Sequence, residues 1–347
     1  MDTTKIKKET KNKIKVDFER APLSERLKAK FLSTFFLKKL VYMIFKIILL
    51  VGISYVILYP YISKIFGSFM TKSDFEDVTV ILLSKHPTLD QYKYIITENG
   101  YFGALLNTFI ISLSVAIIQT LVCALIAYGL AKFKFKGNNI VFLLVIFTMM
   151  VPREAVEFTM SMYFTYFGTN NPLGILLKSL GVIGQGLTNT FYPLYILSVT
   201  GLGFKNGLFI FMLRQFFKGV PDELEESAYV DGSSTFRTFF SIIIPLSIPM
   251  LITVFIFAFS WQWTDDFYIS SSMFFTQDYL NKADSFKLIS SIATVPPSLS
   301  LEAAKLEMYS SAILGTATIL IAIPLIIIYL FVQNYIVQGI ERSGIVG

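Results

Sequence analysis

Long charge-free runs alternate with short polar stretches along this 347-residue chain. Six windows approach the ~20 apolar residues that a helix needs to cross a bilayer. They fall at about 40–62, 104–131, 138–160, 188–213, 247–269 and 308–333. Helices are the expected form, because lipid satisfies no backbone polar group and no window shows the alternation of barrel strands. The polar remainder is scattered among termini and loops. This predicts a basic segment over 1–36 followed by one transmembrane domain over 37–347.

The polar stretches differ in kind. Residues 1–20 are Lys-rich and are expected to be disordered. From Pro22 onward Leu23, Leu27 and Phe31 recur at helical spacing beside Arg26, Lys28 and Lys30. That pattern fits a basic amphipathic helix on the cytoplasmic leaflet, or else a solvated tail. The loop of about 63–103 holds the only histidine, His86, which reads as a solvated side chain rather than a metal ligand. The loop of about 270–307 is too polar to span.

Charge orients the chain. With the N-terminus in the cytoplasm, inner segments carry nineteen Lys and Arg and outer loops nine. The positive-inside rule then places both termini in the cytoplasm. The net charge of +6 reads as membrane orientation and not as a nucleic-acid surface, since no basic patch lies on a folded soluble domain. Membrane lipid is the expected surrounding. Cys123, the single cysteine, lies inside the second window, which excludes disulfides within the chain. No cleavable signal sequence is expected before the first window.

The polar hairpin at 215–246 is the most informative stretch. Pro221 suits a first helical turn, and Asp222, Glu223, Glu225 and Glu226 complement the dipole of the helix that follows. Leu224 and Ala228 share a face, and Gly232 is placed to end the helix in a left-handed conformation. Ser233 or Ser234 can cap a second helix, along which Phe236, Phe239, Phe240 and Ile243 line one face until Pro245 ends it. Such a pair of helices either packs on its own bundle or lies in a groove of another protein.

The hairpin resembles the EAA loop of ATP-binding-cassette (ABC) importer permeases, whose pattern is Glu-Ala-Ala, three residues, Gly, nine residues, Ile-x-Leu-Pro. Here it reads Glu226-Ser227-Ala228, then Gly232, then Ile242-Ile243-Ile244-Pro245. Spacing agrees throughout; Ser227 replaces Ala and Ile244 replaces Leu. The stretches MLRQFF (212–217), AYVDG (228–232), NTFII (107–111), AYGLAKFKFKG (127–137), MMVP (149–152) and YIVQG (335–339) are similar to the maltose-type carbohydrate permeases of that family. The resemblance runs from about residue 36 to the C-terminus. The extreme tail, Gly344 to Gly347, departs from the family's Lys-Gly ending.

That resemblance implies an all-α integral membrane protein of the type I importer permease fold, with six transmembrane helices and cytoplasmic termini, in a bacterial plasma membrane. It implies a second permease subunit, two cytoplasmic ATPases and an extracellular solute-binding protein as partners. It also implies a carbohydrate cargo, an oligosaccharide above all. The chain has no GxxxxGK(S/T) phosphate loop, so ATP and Mg belong to the partner ATPase and the chain is expected to be no enzyme. Glu225, Glu226, Ser227, Ala228, Asp231, Gly232 and Pro245 are the expected coupling residues. Glu226 would meet a basic partner residue, Ala228 would allow close packing, and Gly232 would set the angle.

For the solute path, polar and aromatic residues near the spans are the candidates: Asn107, Gln119, Asn189, Tyr192, Tyr195, Trp261 and Trp263. Each has a structural alternative, an interhelical bond for the amides and interface anchoring for the tryptophans. Asp265 and Asp266, at the outer end of the fifth window, fit binding-protein contact or plain solvation. The competing readings are the same machine carrying glycerol phosphate or a polyol, a stand-alone channel, and a membrane enzyme. No HExxH motif, and no carboxylate cluster within the spans, supports the last.

Overall fold

The computed structural model describes residues 6–9, 15–18, 34–265, 275 and 287–342. The stretch carrying Leu23, Leu27 and Phe31 lies outside the described residues, as do Asp266, much of 270–307 and the tail Gly344 to Gly347. The chain divides into two compact units, Met1–Lys64 and Ile65–Gly347. Their boundary falls inside the first long helix.

In the first unit two short strands stand within the segment read as disordered. β1 (Ile6–Glu9) pairs antiparallel with β2 (Lys15–Phe18), Ile6 opposite Phe18. Val16 and Phe18 suit a pleated backbone. The pair is the exception to an otherwise helical architecture among the described residues. α1 (Thr34–Gly67) follows. Its most apolar window is not buried at all within the chain, as expected of a lipid-facing rod.

In the second unit a small polar layer precedes the bundle. α2 (Lys72–Glu76) and α3 (Asp90–Glu98) are held by a buried network. The Gln91 amide donates to the carbonyls of Gly67 and Met70, at 3.1 and 2.8 Å, and accepts from Thr316 Oγ1 at 2.7 Å. Asp74 is almost fully buried and accepts from Ser84 Oγ at 2.6 Å. His86 Nδ1 lies 3.2 Å from its other oxygen, so the lone histidine is paired rather than simply solvated. Burial alone would raise the Asp74 pKa. The hydrogen bonds from Ser84, Thr71 and His86 outweigh it and hold the carboxyl well below its usual range.

α4 (Tyr101–Lys132) is the central rod. Small buried residues, among them Ala116, Cys123, Ala124 and Ala127, let its neighbours approach closely. α5 (Asn138–Met150) and α6 (Arg153–Thr165) follow, then the short α7 (Phe167–Asn170) and α8 (Pro172–Ser179). α9 (Tyr192–Val199) and α10 (Asn206–Lys218) lead to the hairpin helices α11 (Glu223–Val230) and α12 (Thr235–Leu246). α13 (Ile248–Trp263), α14 (Ser300–Lys305) and α15 (Glu307–Arg342) complete the unit. α4 packs against α10 and α13, and α13 against α15.

Three of the six expected spans are continuous. Among the described residues α1, α4 and α15 are long and apolar enough to cross a membrane. The window at 138–160 is bent by 101° between α5 and α6. Pro152 is the reason: it removes a donor and forces Val151 out of the helical region, to ψ 117°. The window at 188–213 is split between α9 and α10, where Gly201 takes φ 74°. The fifth window is helical only from Ile248, after an 81° bend from α12. Hydropathy registers apolar length and is blind to these breaks.

Candidate functional site

Two regions gather the residues singled out by sequence. The first is the hairpin. α11 carries Glu223, Glu225 and Glu226 in its first turn, so the dipole is well matched. Its end is a Schellman motif: Ser233 N–H donates to Ala228 O at 2.9 Å and Gly232 N–H to Tyr229 O at 3.0 Å. Gly232 has φ 77°, and a Cβ built there would touch nothing. Its role is conformational, as the spacing predicted. Ser234 is the cap of α12, accepting from the Arg237 N–H.

Glu225 and Ala228 turn inward, whereas Glu226, Ser227 and Asp231 are exposed. Tyr128 Oη donates to Glu225 Oε2 at 2.8 Å. Lys132 Nζ lies 3.1 Å from Glu225 Oε1, 2.6 Å from Asp222 Oδ1 and 2.7 Å from the Val220 carbonyl. The last turn of α4 therefore clamps the first turn of α11. The hydrogen bond and charge of Lys132 hold the Asp222 carboxyl below its ordinary range. Sequence reasoning named Glu225 but neither Tyr128 nor Lys132 as its partner.

α12 corrects the expected single apolar face. Phe239 and Ile243 are buried, and Phe239 packs against Tyr128 with ring centroids 4.8 Å apart. Phe236 and Phe240 point outward, 72% and 55% exposed. The helix does not end at Pro245 either. It widens into a π turn over Phe239–Ile243 and runs to Leu246. Pro245 offers no N–H to Ser241 O and its ring crowds that carbonyl; a widened turn accommodates both. The outward face joins Glu226 and Ser227 to the apolar Val230, Phe236 and Phe240.

The second region lies where the broken helices meet. Reckoned from their hairpin ends at ~1.5 Å per residue, α5 and α10 each stop after ~20 Å. Gln119 sits at a similar depth on α4, and Trp261 and Asp265 sit at the far end of α13. A cavity of about 310 Å3 is lined by Lys205, Leu208, Phe209, Phe257, Ser260, Trp261 and Thr264. A smaller one beside it is lined by Gln119, Arg153, Lys205, Trp261, Gln262 and Asp265, among others. Lys205 Nζ rests 3.9 Å above the Trp261 ring. Arg153 reaches Asp265 at 3.7 Å and Glu154 at 3.0 Å. Gln119 Nε2 is 3.4 Å from Ser198 Oγ.

Of the solute-path candidates, this region brings together Gln119 and Trp261. Trp263 is buried, donates to the Ile321 carbonyl at 3.0 Å and stacks on Phe259, which is a packing role. Asn107 donates to the Lys287 carbonyl at 3.1 Å, and Tyr195 shares a hydrogen bond with Ser114 at 2.8 Å. Tyr192 is exposed, and Asn189 takes a positive φ of 60°. None of these five lines the cavity. Lys205 and Arg153 do, and sequence reasoning passed over both as solute contacts. A lysine inside an apolar window was the signal available for finding Lys205.

A bundle of apolar helices, broken at one depth and carrying a clamped polar hairpin, defines a membrane component of a transport machine. Residues 120–342 match the family model described as binding-protein-dependent transport system inner membrane component. The chain belongs to this family, the permeases of ABC importers in the bacterial plasma membrane. It is 26% identical to the arabinooligosaccharides transport system permease protein AraQ of Halalkalibacterium halodurans, over 85% of this chain and 93% of that relative. Identity to the galactooligosaccharides transport system permease protein GanQ of Bacillus subtilis is also 26%, over 89% and 98%. The fold is similar to that of a chain in the crystal structure of a bacterial ABC transporter involved in import of the acidic polysaccharide alginate. The TM-score there is 0.60 at 17% identity, covering 92% of this chain and 99% of that one.

Proposed function

We propose that the chain conducts a carbohydrate, an oligosaccharide above all, and receives its driving force through the hairpin. In this reading α11 and α12 seat in a groove of a cytoplasmic ATPase that holds ATP and Mg. A second permease completes the path, and an extracellular binding protein delivers the solute. The six apolar windows then cross the membrane with both termini inside, the bent and split ones as broken spans. The 1–36 segment precedes the permease domain at the cytoplasmic leaflet.

One observation carries the reading. The hairpin is bonded to the central rod on its inner side and exposed on its outer side. Lys132, Tyr128 and Glu225 fix α11 to the central rod, while Glu226, Ser227, Val230, Phe236 and Phe240 face outward. A lever needs both properties: stiffness toward the helices it moves and a free face toward what moves it. The names of AraQ and GanQ support the cargo class.

The test is Glu226→Lys in the complete importer. Because Glu226 is exposed and makes no contact within the hairpin clamp, the variant should insert and fold normally. Co-purification of the ATPase should fall and uptake should be lost, as the loss of an interfacial charge pair costs ~2–5 kcal/mol. Undiminished co-purification and uptake would remove the hairpin from the mechanism.

A further inference from the structure

One cation at the broken-helix cavity is not paired with a carboxylate. Arg153 is matched by Asp265 and Glu154, whereas no carboxylate among the described residues lies within ion-pair distance of Lys205. Its ammonium is instead parked over the Trp261 ring. A ring face is a weak partner for a cation inside an apolar segment, where charges are retained chiefly for function. Two side-chain amides meet at Gly203, two residues before Lys205. A Cβ on Gly203 would lie 3.1 Å from Gln119 Nε2 and 3.2 Å from both polar atoms of the Asn206 side chain. Asn206 is fully buried with neither atom hydrogen-bonded. It opens the 13-residue helix α10, whose N-terminus adds partial positive charge.

We propose that this cavity is a subsite for an acidic sugar, in which Lys205 takes the carboxylate of a uronate ring and the indole of Trp261 takes the ring's apolar face. The inference deepens the carbohydrate reading above and rests on it. A single ammonium with no carboxylate partner among the described residues suits a singly charged carboxylate better than a phosphate, which carries up to about two charges at neutral pH. The volume of about 310 Å3 lies at the small end of ligand sites and admits a ring rather than a long chain. Lys205 would leave the Trp261 face as the ligand enters, exchanging a cation–π contact for a charge-assisted hydrogen bond.

Cells carrying the complete importer are offered labelled trimers of galacturonate, glucuronate and mannuronate, their neutral counterparts, and glycerol 3-phosphate. Import of at least one uronate trimer is expected. Lys205→Gln should lower the ratio of uronate to neutral uptake about tenfold relative to the parent, and Lys205→Arg should restore most of it. Taking the ratio within each variant cancels differences in folding and expression, and the binding protein's own preference is common to all. Import of neutral trimers alone, import of glycerol 3-phosphate in place of uronates, or a ratio within twofold of the parent in Lys205→Gln would overturn the subsite. Should no saccharide be imported at all, the carbohydrate reading itself falls, and the subsite with it.

Discussion

The hairpin and the broken-helix cavity treat their polar groups in opposite ways. At the hairpin a buried carboxylate is met from within the chain: Tyr128 donates to one oxygen of Glu225, and the Lys132 ammonium sits 3.1 Å from the other as an ion pair without a hydrogen bond. In the cavity Lys205 faces a ring, and behind it the fully buried Asn206 side chain has no hydrogen-bond partner among the described residues. A buried ion pair makes a stiff joint, because moving it would leave uncompensated charge. Unsatisfied polar groups make a receptive surface, because a ligand can supply what the chain does not. The transport reading asks for both, at two ends of the same helices.

The largest effect should come from breaking the joint. Lys132→Met removes the cation facing Glu225, with both side chains 8% exposed, and leaves a buried carboxylate with only Tyr128. Removing one partner of a buried pair costs ~3–5 kcal/mol. The variant should denature at markedly lower guanidinium concentration and lose ATPase co-purification. Glu226→Lys, one residue beyond Glu225 but on the outer face, should lose co-purification with stability within ~0.5 kcal/mol of the parent. Equal stability of Lys132→Met and the parent would show that the clamp is not what stiffens the hairpin.

The two tryptophans sharpen the same contrast. Trp263 is 1% exposed and bonded to Ile321 O; Trp261 is 43% exposed and lines the cavity. Trp263→Leu loses packing and a hydrogen bond, an expected ~2–4 kcal/mol by comparison with other large-to-small core changes. Trp261→Leu should cost under ~1 kcal/mol while reducing uptake severalfold. Thermal unfolding read beside uptake separates the two. The reverse ordering would exchange their roles.

Gly232→Ala should act more gently. Nothing lies within reach of the new methyl, so the cost is that of a left-handed residue with a side chain, ~1–2 kcal/mol. Asn tolerates that region better, so Gly232→Asn should recover much of the loss in stability and in coupled ATPase activity. If Ala and Asn behave alike, the turn's conformation does not set the lever angle.

Gly232 shows what sequence could reveal. A left-handed helix end depends on the residues beside it, so spacing alone located it, along with the acidic first turn and the Ser234 cap. The inner and outer faces of α11 were not legible, because they are decided by Tyr128 and Lys132, some ninety residues earlier on another helix. For the same reason helical spacing puts Phe236 and Phe240 on one face with Phe239 and Ile243, whereas only the latter two are buried. The spans at 138–160 and 188–213 were located by apolar length but drawn straight. Pro152 and Gly201 carried the information that they break, and a hydropathy window averages it away. The larger cavity, lined from the Lys205 turn, α10 and α13, could be seen only once the break before α10 was in place.

Acid offers the mildest probe of the joint. Lys132 also holds the exposed Asp222, whose folded pKa lies below its unfolded value of about 3.9. A depressed carboxylate contributes stability that is fully present above the unfolded pKa and is lost as pH falls through the folded one. Solvent screens Asp222, 78% exposed, so that contribution is small. The melting-temperature difference between the parent and Asp222→Asn should therefore be slight and flat from pH 8 to about pH 5, shrinking only below about pH 4. A difference that already shrinks between pH 8 and 6 would place the titrating group elsewhere. The clamp would then depend on something other than the Lys132 contacts with the first turn of α11.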